Sequence, residues 1–230
     1  AEQLVRACAA AGARLVLTSS MAAVRGTRQP LAGGATTYTA ADWNTISRRD
    51  GPGFEPYQYS KMESERRAWE LARELSDESM LVSLCPPMLL GPPLDAASSA
   101  YSCELMRGWL DGTRPVRSLL MADVRDVARA HGRAAEEKSA GGRRLSVSSE
   151  TRISAAEMAS AITAAAAELG RTLDNLCVDD AETGGLIATG KREVESEEIL
   201  AVALSVRCRP DADSLAEMAS FLLRATRQPA

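Results

Sequence analysis

Tyr57 and Lys61 are the residues whose types and spacing most directly suggest chemistry. They lie four positions apart in the stretch PYQYSKMESERRAWELA, which has the composition of a helix start, so one helical turn brings both side chains to the same face. A phenol titrates near about 10 in water, and an adjacent positive charge favours its anion. The pair suits proton transfer, although the same spacing is also common on the solvated side of an amphipathic helix.

A second candidate group is the hydroxyl cluster Thr18, Ser19 and Ser20, which follows a short apolar run. Such hydroxyls can stabilise a developing negative charge on oxygen, but they also end strands simply by satisfying turn amides. Tyr59 is another phenol close to Lys61. Only Tyr57 lies one helical turn before the lysine, so we favour Tyr57 as the acid.

Composition excludes several classes of function. The 230 residues carry a net charge of −4 with Lys and Arg scattered along the chain, which does not indicate nucleic-acid binding. His131 is the single histidine, so a histidine metal site and Ser-His-Asp hydrolysis lack their usual group. No apolar run approaches the ~18 residues of a membrane span, and no signal peptide opens the chain. We expect a cytoplasmic protein with no metal, nucleic-acid or membrane partner; oligomeric state does not follow from composition.

The five cysteines lie far apart in the chain and form no C-x-x-C pair. This spacing argues against a disulfide framework or a zinc site. We expect buried, reduced thiols.

Helix-length and strand-length segments alternate along the chain, which predicts an α/β protein with a parallel sheet. The predicted strands are Leu15–Thr18, Met80–Cys85 and Arg143–Ser149, and residues 25–55 are predicted to be a long surface excursion. The predicted helices are residues 1–11, 57–75, 101–110, 123–137, 155–169 and 193–204, with a last helix opened by Asp213 and Ser214.

A G-x-x-x-x-G-K pattern occurs at residues 185–191. Arg192 follows it where a phosphate-binding loop needs Ser or Thr for magnesium, and no buried strand clearly precedes it. We interpret this match as accidental.

Five motifs carry a resemblance to a known family. In chain order they are V-L-T-S-S-x-A-A-V, A-D-W, Y-x-x-S-K-x-x-x-E-x-x-A-W-E, C-P-P-x-L-L-G-P-P-L and D-V-R-D-V-A-R-A-H. Together they resemble the extended short-chain dehydrogenase/reductases, also called the NAD-dependent epimerase/dehydratase superfamily. The likeness is greatest to the branch of dihydroflavonol reductases, cinnamoyl-CoA reductases and fungal aldehyde/ketone reductases, and it spans roughly residues 4–137.

The resemblance implies three catalytic residues. The family's serine falls on Ser20, with Ser19 as the alternative register, its tyrosine on Tyr57 and its lysine on Lys61. In the implied mechanism a hydride passes from the nicotinamide to a substrate carbonyl, while Tyr57 protonates the developing alkoxide and Ser20 donates a hydrogen bond to it. Lys61 supplies positive charge beside the phenol.

The resemblance also implies a cofactor, NADP or NAD, with NADP favoured by the family alone. Its nicotinamide end would be bound by Tyr57 and Lys61 and by the segment that contains Pro86, Met88 and Leu89. The substrate would be a small-molecule carbonyl or alcohol, such as an aldehyde, a ketone or a dihydroflavonol-like compound.

The fold implied is the distal, C-terminal part of a Rossmann-type doubly wound parallel sheet with a small substrate-side region. Residues 1–149 would be the C-terminal part of the NAD(P)-binding domain, with a substrate-loop insertion at about 91–117. Residues 150–230 would be the substrate-side region.

The chain departs from the family in one large respect. None of its 16 glycines forms the G-x-x-G-x-x-G turn that receives the cofactor pyrophosphate, and its first two strands match strands five and six of the doubly wound order. We therefore expect a fragment of a reductase, or alternatively a non-catalytic remnant or regulatory binding protein of the same family. A smaller departure is Pro87, where many relatives have glycine, because it removes a backbone N–H near the carboxamide site.

Overall fold

The computed structural model describes residues 1–179 and 191–226. Most of the G-x-x-x-x-G-K segment lies outside the described residues. The described strands are β1 (Leu15–Thr18), β2 (Leu81–Cys85), β3 (Met88–Leu90), β4 (Met121–Asp123) and β5 (Arg144–Ser146). The described α-helices are α1 (Glu2–Ala11), α2 (Met21–Val24), α3 (Glu55–Glu74), α4 (Tyr101–Leu110), α5 (Val124–Glu136), α6 (Ala155–Glu168), α7 (Glu197–Leu204) and α8 (Asp211–Ala225).

Three of the strands form a parallel sheet in the order β1, β2, β5. Leu15 pairs with Leu81, and Ser83 pairs with Arg144. The predicted parallel sheet is confirmed, and its first two strands in the chain are direct neighbours. Strand β2 is buried throughout, whereas β1 is only half-buried, because it has a described neighbour on one side only.

Alternate side chains of β2 face opposite layers of helix, as the two-residue period of a strand requires. Leu81 packs with the apolar faces of α1 and α3. Val82 and Leu84 pack on the other side with residues of α5 and α7. Helices on both faces of a parallel sheet are the doubly wound architecture, so the fold class predicted from the sequence is confirmed.

A separate apolar cluster surrounds Trp109. It joins α4, α6 and α8 to the short parallel pair of β3 and β4, in which Met88 pairs with Met121. This pair was not predicted from the sequence. Its strands are three residues long, too short for a periodic signal.

Several boundaries differ from the predictions. Helix α7 begins at Glu197 rather than Glu193, because the chain at Val194 instead forms a β-bridge with Tyr38. Helix α8 begins at Asp211, directly after Pro210 and two residues before the predicted start.

The predicted excursion at residues 25–55 is irregular up to residue 54, but it is not only surface. Tyr38 and Asn44 are buried within it. The cysteines also differ from expectation, since Cys177 is exposed. Within residues 1–179 and 191–226, no helix is both long and apolar enough to cross a membrane.

Candidate active site

Two backbone hydrogen bonds connect the chain segments at the carboxyl ends of β1 and β2. The amide of Ser19 donates to the carbonyl oxygen of Leu84 at 2.8 Å, and the amide of Met21 donates to that of Pro86 at 2.9 Å. In open parallel sheets ligands bind beyond the carboxyl ends of the strands. The segments after both strands therefore lie where a ligand is expected.

Ser19 and Ser20 point to different surroundings. The Ser19 hydroxyl donates to Glu65 at 2.6 Å in the buried interior. Ser20 caps α2, where its Oγ accepts from the amide of Ala22 at 3.1 Å, and the described residues include no acceptor for its hydroxyl hydrogen. Only Ser20 keeps a donor available for a ligand.

Helix α3 presents Tyr57 and Lys61 to this edge of the sheet. Tyr57 lies in the first turn of the helix, is 47% exposed and contacts the edge of the Phe54 ring at a centroid distance of 5.3 Å. The Lys61 ammonium donates to the backbone carbonyl oxygen of Thr18 at 3.0 Å. The helix start and the end of β1 are thereby held beside each other.

These side chains border a cavity of about 700 Å³. All of the residues predicted for the site line it: Ser20, Tyr57, Lys61, Pro86, Met88 and Leu89. Tyr59 does not belong to its lining. The structure thus brings the predicted residues together, and it separates the two candidate phenols.

Sequence reasoning missed other lining residues, among them Arg25, Gln58 and Arg152. Arg25 follows Ser20 by five positions, but neither arginine belongs to a periodic pattern or a quoted motif. Tyr101 and Ser102, within the predicted loop at 91–117, also line the cavity.

Behind the cavity, one buried carboxylate organises the sheet and α3. Glu65, whose side chain is 1% exposed, accepts from Arg144 on β5 at 2.8 and 3.0 Å and from Ser83 on β2 at 2.5 Å. Burial alone would raise the pKa of Glu65, but the hydrogen bonds and charge of Arg144, aided by Ser19, lower it below its ordinary value. Glu65 is therefore an ionised support rather than a proton donor.

Cys85 ends β2 just before Pro86 and is a possible nucleophile by type. Burial, together with the charge of Glu65, raises the pKa of the Cys85 thiol to about 12. A nucleophilic cysteine acts as its thiolate, so this thiol is inert at neutral pH.

No protein-family model matches the chain. Among individual relatives, cinnamoyl-CoA reductase 1 of Arabidopsis thaliana is 40% identical over 91 residues, which cover 39% of this chain and 26% of that protein. Fatty acid hydroxylase uhd1 of Mycosarcoma maydis is 34% identical over 143 residues, which cover 60% of this chain and 45% of that protein. The chain thus spans less than half the length of either relative.

Among solved structures, the yeast methylglyoxal/isovaleraldehyde reductase Gre2, determined as a complex with NADPH, superposes with a TM-score of 0.70. It is 25% identical, and the match covers 93% of this chain and 64% of that one. The chain is therefore similar to members of the extended short-chain dehydrogenase/reductases. Its parallel sheet matches part of the Rossmann-type sheet of this kind of structure.

Proposed function

We propose that the complete protein containing this chain is an NAD(P)-dependent reductase of an aldehyde, ketone or related carbonyl. The observation that carries this proposal is the common cavity of Ser20, Tyr57 and Lys61 at the carboxyl ends of β1 and β2. A phenol, a free hydroxyl donor and an ammonium group around one space suit protonation of a carbonyl oxygen.

The residues present fit the nicotinamide end of such a cofactor. Pro86, Met88 and Leu89 give the cavity an apolar wall, and Tyr57 and Lys61 give it polar groups suited to ribose hydroxyls. When bound, the reduced cofactor would supply the hydride. We favour NADP over NAD because the yeast reductase Gre2 was solved with NADPH.

The protein's own groups would handle the proton and the developing charge. Ser20 orients the substrate oxygen by donating to it, and Tyr57 donates its proton to that oxygen. Lys61, anchored on the Thr18 carbonyl, stabilises the phenolate that remains. Ser20 is rigidly placed because its Oγ caps α2.

We also propose that the regions before and after residue 150 have different functions. Residues 1–149 would contact the cofactor, and residues 150–230, with the loop at 91–117, would shape the substrate side. The cluster around Trp109 draws residues from both sides of this boundary, so the boundary divides function rather than the core.

A non-catalytic protein of the same family is the second candidate. It is favoured by one observation, the absence of the glycine-rich pyrophosphate turn from these 230 residues. Such a protein would keep the cavity but bind the dinucleotide weakly.

One experiment separates the two candidates. The complete product of the gene is mixed with NADPH or NADH and a panel of aldehydes and ketones, and the loss of reduced nicotinamide absorbance is followed. We expect turnover of at least one carbonyl, abolished by Tyr57→Phe. Weak NADPH binding without turnover of any carbonyl would favour the non-catalytic candidate.

A further inference from the structure

Two arginines in the cavity wall share a single buried carboxylate. Arg152 donates to Glu193 through Nε at 3.0 Å and through Nη2 at 3.2 Å, and Arg25 donates to the same carboxylate through its own Nη2. The Glu193 side chain is 1% exposed, against 14% for Arg25 and 10% for Arg152. One carboxylate balances one guanidinium, so among the described residues this wall keeps a surplus positive charge.

Only one of the two arginines would be needed to hold the Glu193 carboxylate in place. Arg152 already holds Glu193 through two hydrogen bonds and also donates to the Ser118 carbonyl at 3.2 Å. Arg25 lies beside the apolar cluster that contains Tyr38, with its guanidinium 5.6 Å from the centre of that ring. A second cation in such a place is unfavourable unless an anion balances it.

Arg25 also has N–H donors that lack an acceptor among the described residues. In the part of the chain that the structure describes, Glu193 is the one hydrogen-bond acceptor of its guanidinium, which carries five N–H groups in a planar fork. Arg25, Lys61 and Arg152 are the charged residues among the described cavity lining, which includes no Asp or Glu. The Lys61 ammonium is engaged by the carbonyl oxygen of Thr18 at the carboxyl end of β1.

We propose that Arg25, oriented by Glu193 and Arg152, binds a carboxylate of the substrate. The inference rests on the proposed reductase function and narrows the substrate class to carbonyl compounds that also carry a carboxylate, such as oxo acids and aldehyde acids. A guanidinium matches a carboxylate in a two-pronged geometry. The single surplus charge of the wall matches the single charge of a carboxylate better than the nearly double charge of a phosphate monoester.

The test compares para-carboxybenzaldehyde with its uncharged methyl ester as substrates of the complete gene product with NADPH. We expect the acid to have the higher kcat/KM. Arg25→Gln should lower the acid-to-ester ratio about 10- to 100-fold, mainly through KM, which is the range of a charge-assisted hydrogen bond. In that variant Glu193 keeps Arg152 as its partner, so the buried carboxylate is not left unpaired.

Two further variants sharpen the result. Arg25→Lys keeps the positive charge but loses the planar guanidinium donors. It should lower the acid-to-ester ratio of kcat/KM less than Arg25→Gln does. Arg66→Gln removes a positive charge from a different groove, where Arg66 lies over the Trp43 ring, and it should leave the ratio unchanged.

A binding measurement separates failure of this inference from failure of the proposed function. Ligand-observed NMR with para-toluate and its neutral analogue para-toluamide reports the carboxylate site without turnover. Reduction of both aldehydes with equal kcat/KM, and no preference for para-toluate, would overturn the inference and leave the reductase. Binding of para-toluate that depends on Arg25, without reduction of any carbonyl, would overturn the reductase and leave the carboxylate site.

Discussion

Tyr57 combines exposure to the cavity with a position one helical turn before Lys61. In the complete protein, Tyr57→Phe should lower carbonyl reduction by about 10² to 10⁴, the usual contribution of a general acid. The ring and its edge contact with Phe54 are kept, so folding should be unaffected. Steady-state kinetics with NADPH and the best aldehyde of the panel, together with a thermal melt, measure both expectations.

Tyr59→Phe is the matched control, because it removes a phenol hydroxyl two positions away on the same helix. It should leave the rate within a few-fold of the wild-type. Loss of activity in Tyr59→Phe with retention in Tyr57→Phe would show that the register of the site is wrong.

The two adjacent serines should respond differently to the same substitution. Ser20→Ala removes a free donor to the substrate oxygen and should lower kcat by about 10² to 10³, and loss of its cap on α2 should cost about 0.5–2 kcal/mol of unfolding free energy. Ser19→Ala removes a hydrogen bond to the buried Glu65 carboxylate and should cost about 1–3 kcal/mol of unfolding free energy. Kinetics and denaturant melts on both variants check this. The reverse pattern would assign the catalytic role to Ser19.

At the scale of elements, Glu65 and Arg144 connect α3, β2 and β5 to the excursion. Besides Glu65, the Arg144 guanidinium contacts the carbonyl oxygens of Ala40 and Asp42 and lies 3.9 Å from the centre of the Trp43 ring. Both side chains are at least nine-tenths buried. This pair therefore fixes the helix that carries Tyr57 and Lys61 against the sheet.

Glu65→Gln should destabilise the protein by about 3–5 kcal/mol, because it leaves a buried guanidinium without its counter-charge. The double variant Glu65→Gln/Arg144→Gln should recover part of this loss. Urea unfolding of the wild-type and the variants measures these differences. Additive losses in the double variant would mean that the two residues do not act as a pair.

The same pair predicts a dependence of stability on pH. The pKa of Glu65 is lowered in the folded state, so its ionised carboxylate stabilises the fold above the unfolded pKa of about 4.3 and this contribution is lost as pH falls. Wild-type stability should therefore decline below about pH 4 more steeply than that of Glu65→Gln. Parallel decline in thermal melts across that pH range would contradict the assignment.

At the scale of the whole molecule, the 230-residue polypeptide taken alone should show little or no turnover and no thermal shift with NADPH. Its sequence holds no glycine-rich turn for the pyrophosphate, and each charge-assisted hydrogen bond missing there is worth roughly 1.5–3 kcal/mol. Among the described residues, strand β1 also pairs on one side only, and an open apolar edge favours self-association. Thermal-shift assays and light scattering, run beside the complete gene product, measure both effects. A monomeric polypeptide that binds NADPH at micromolar concentration and reduces an aldehyde would overturn this prediction.

The sequence by itself determined the elements that carry the catalytic groups. The apolar runs at Leu15–Thr18 and Leu81–Cys85 are strong strand signals because buried parallel strands are continuously apolar, and the structure pairs them as predicted. Helical periodicity likewise located most of α3 and the whole of α4. The ordered motifs carried the resemblance to the reductase family, and with it the expected roles of Ser20, Tyr57 and Lys61.

The tertiary structure alone decided which polar groups meet. Ser19 and Ser20 are equivalent hydroxyls in the sequence, and only packing against Glu65 gives them different surroundings. Arg25 and Arg152 are separated by well over a hundred residues, yet both reach Glu193. Local periodicity reports which face of an element is apolar, whereas such contacts depend on how distant segments fold back together, and no short-range pattern records that.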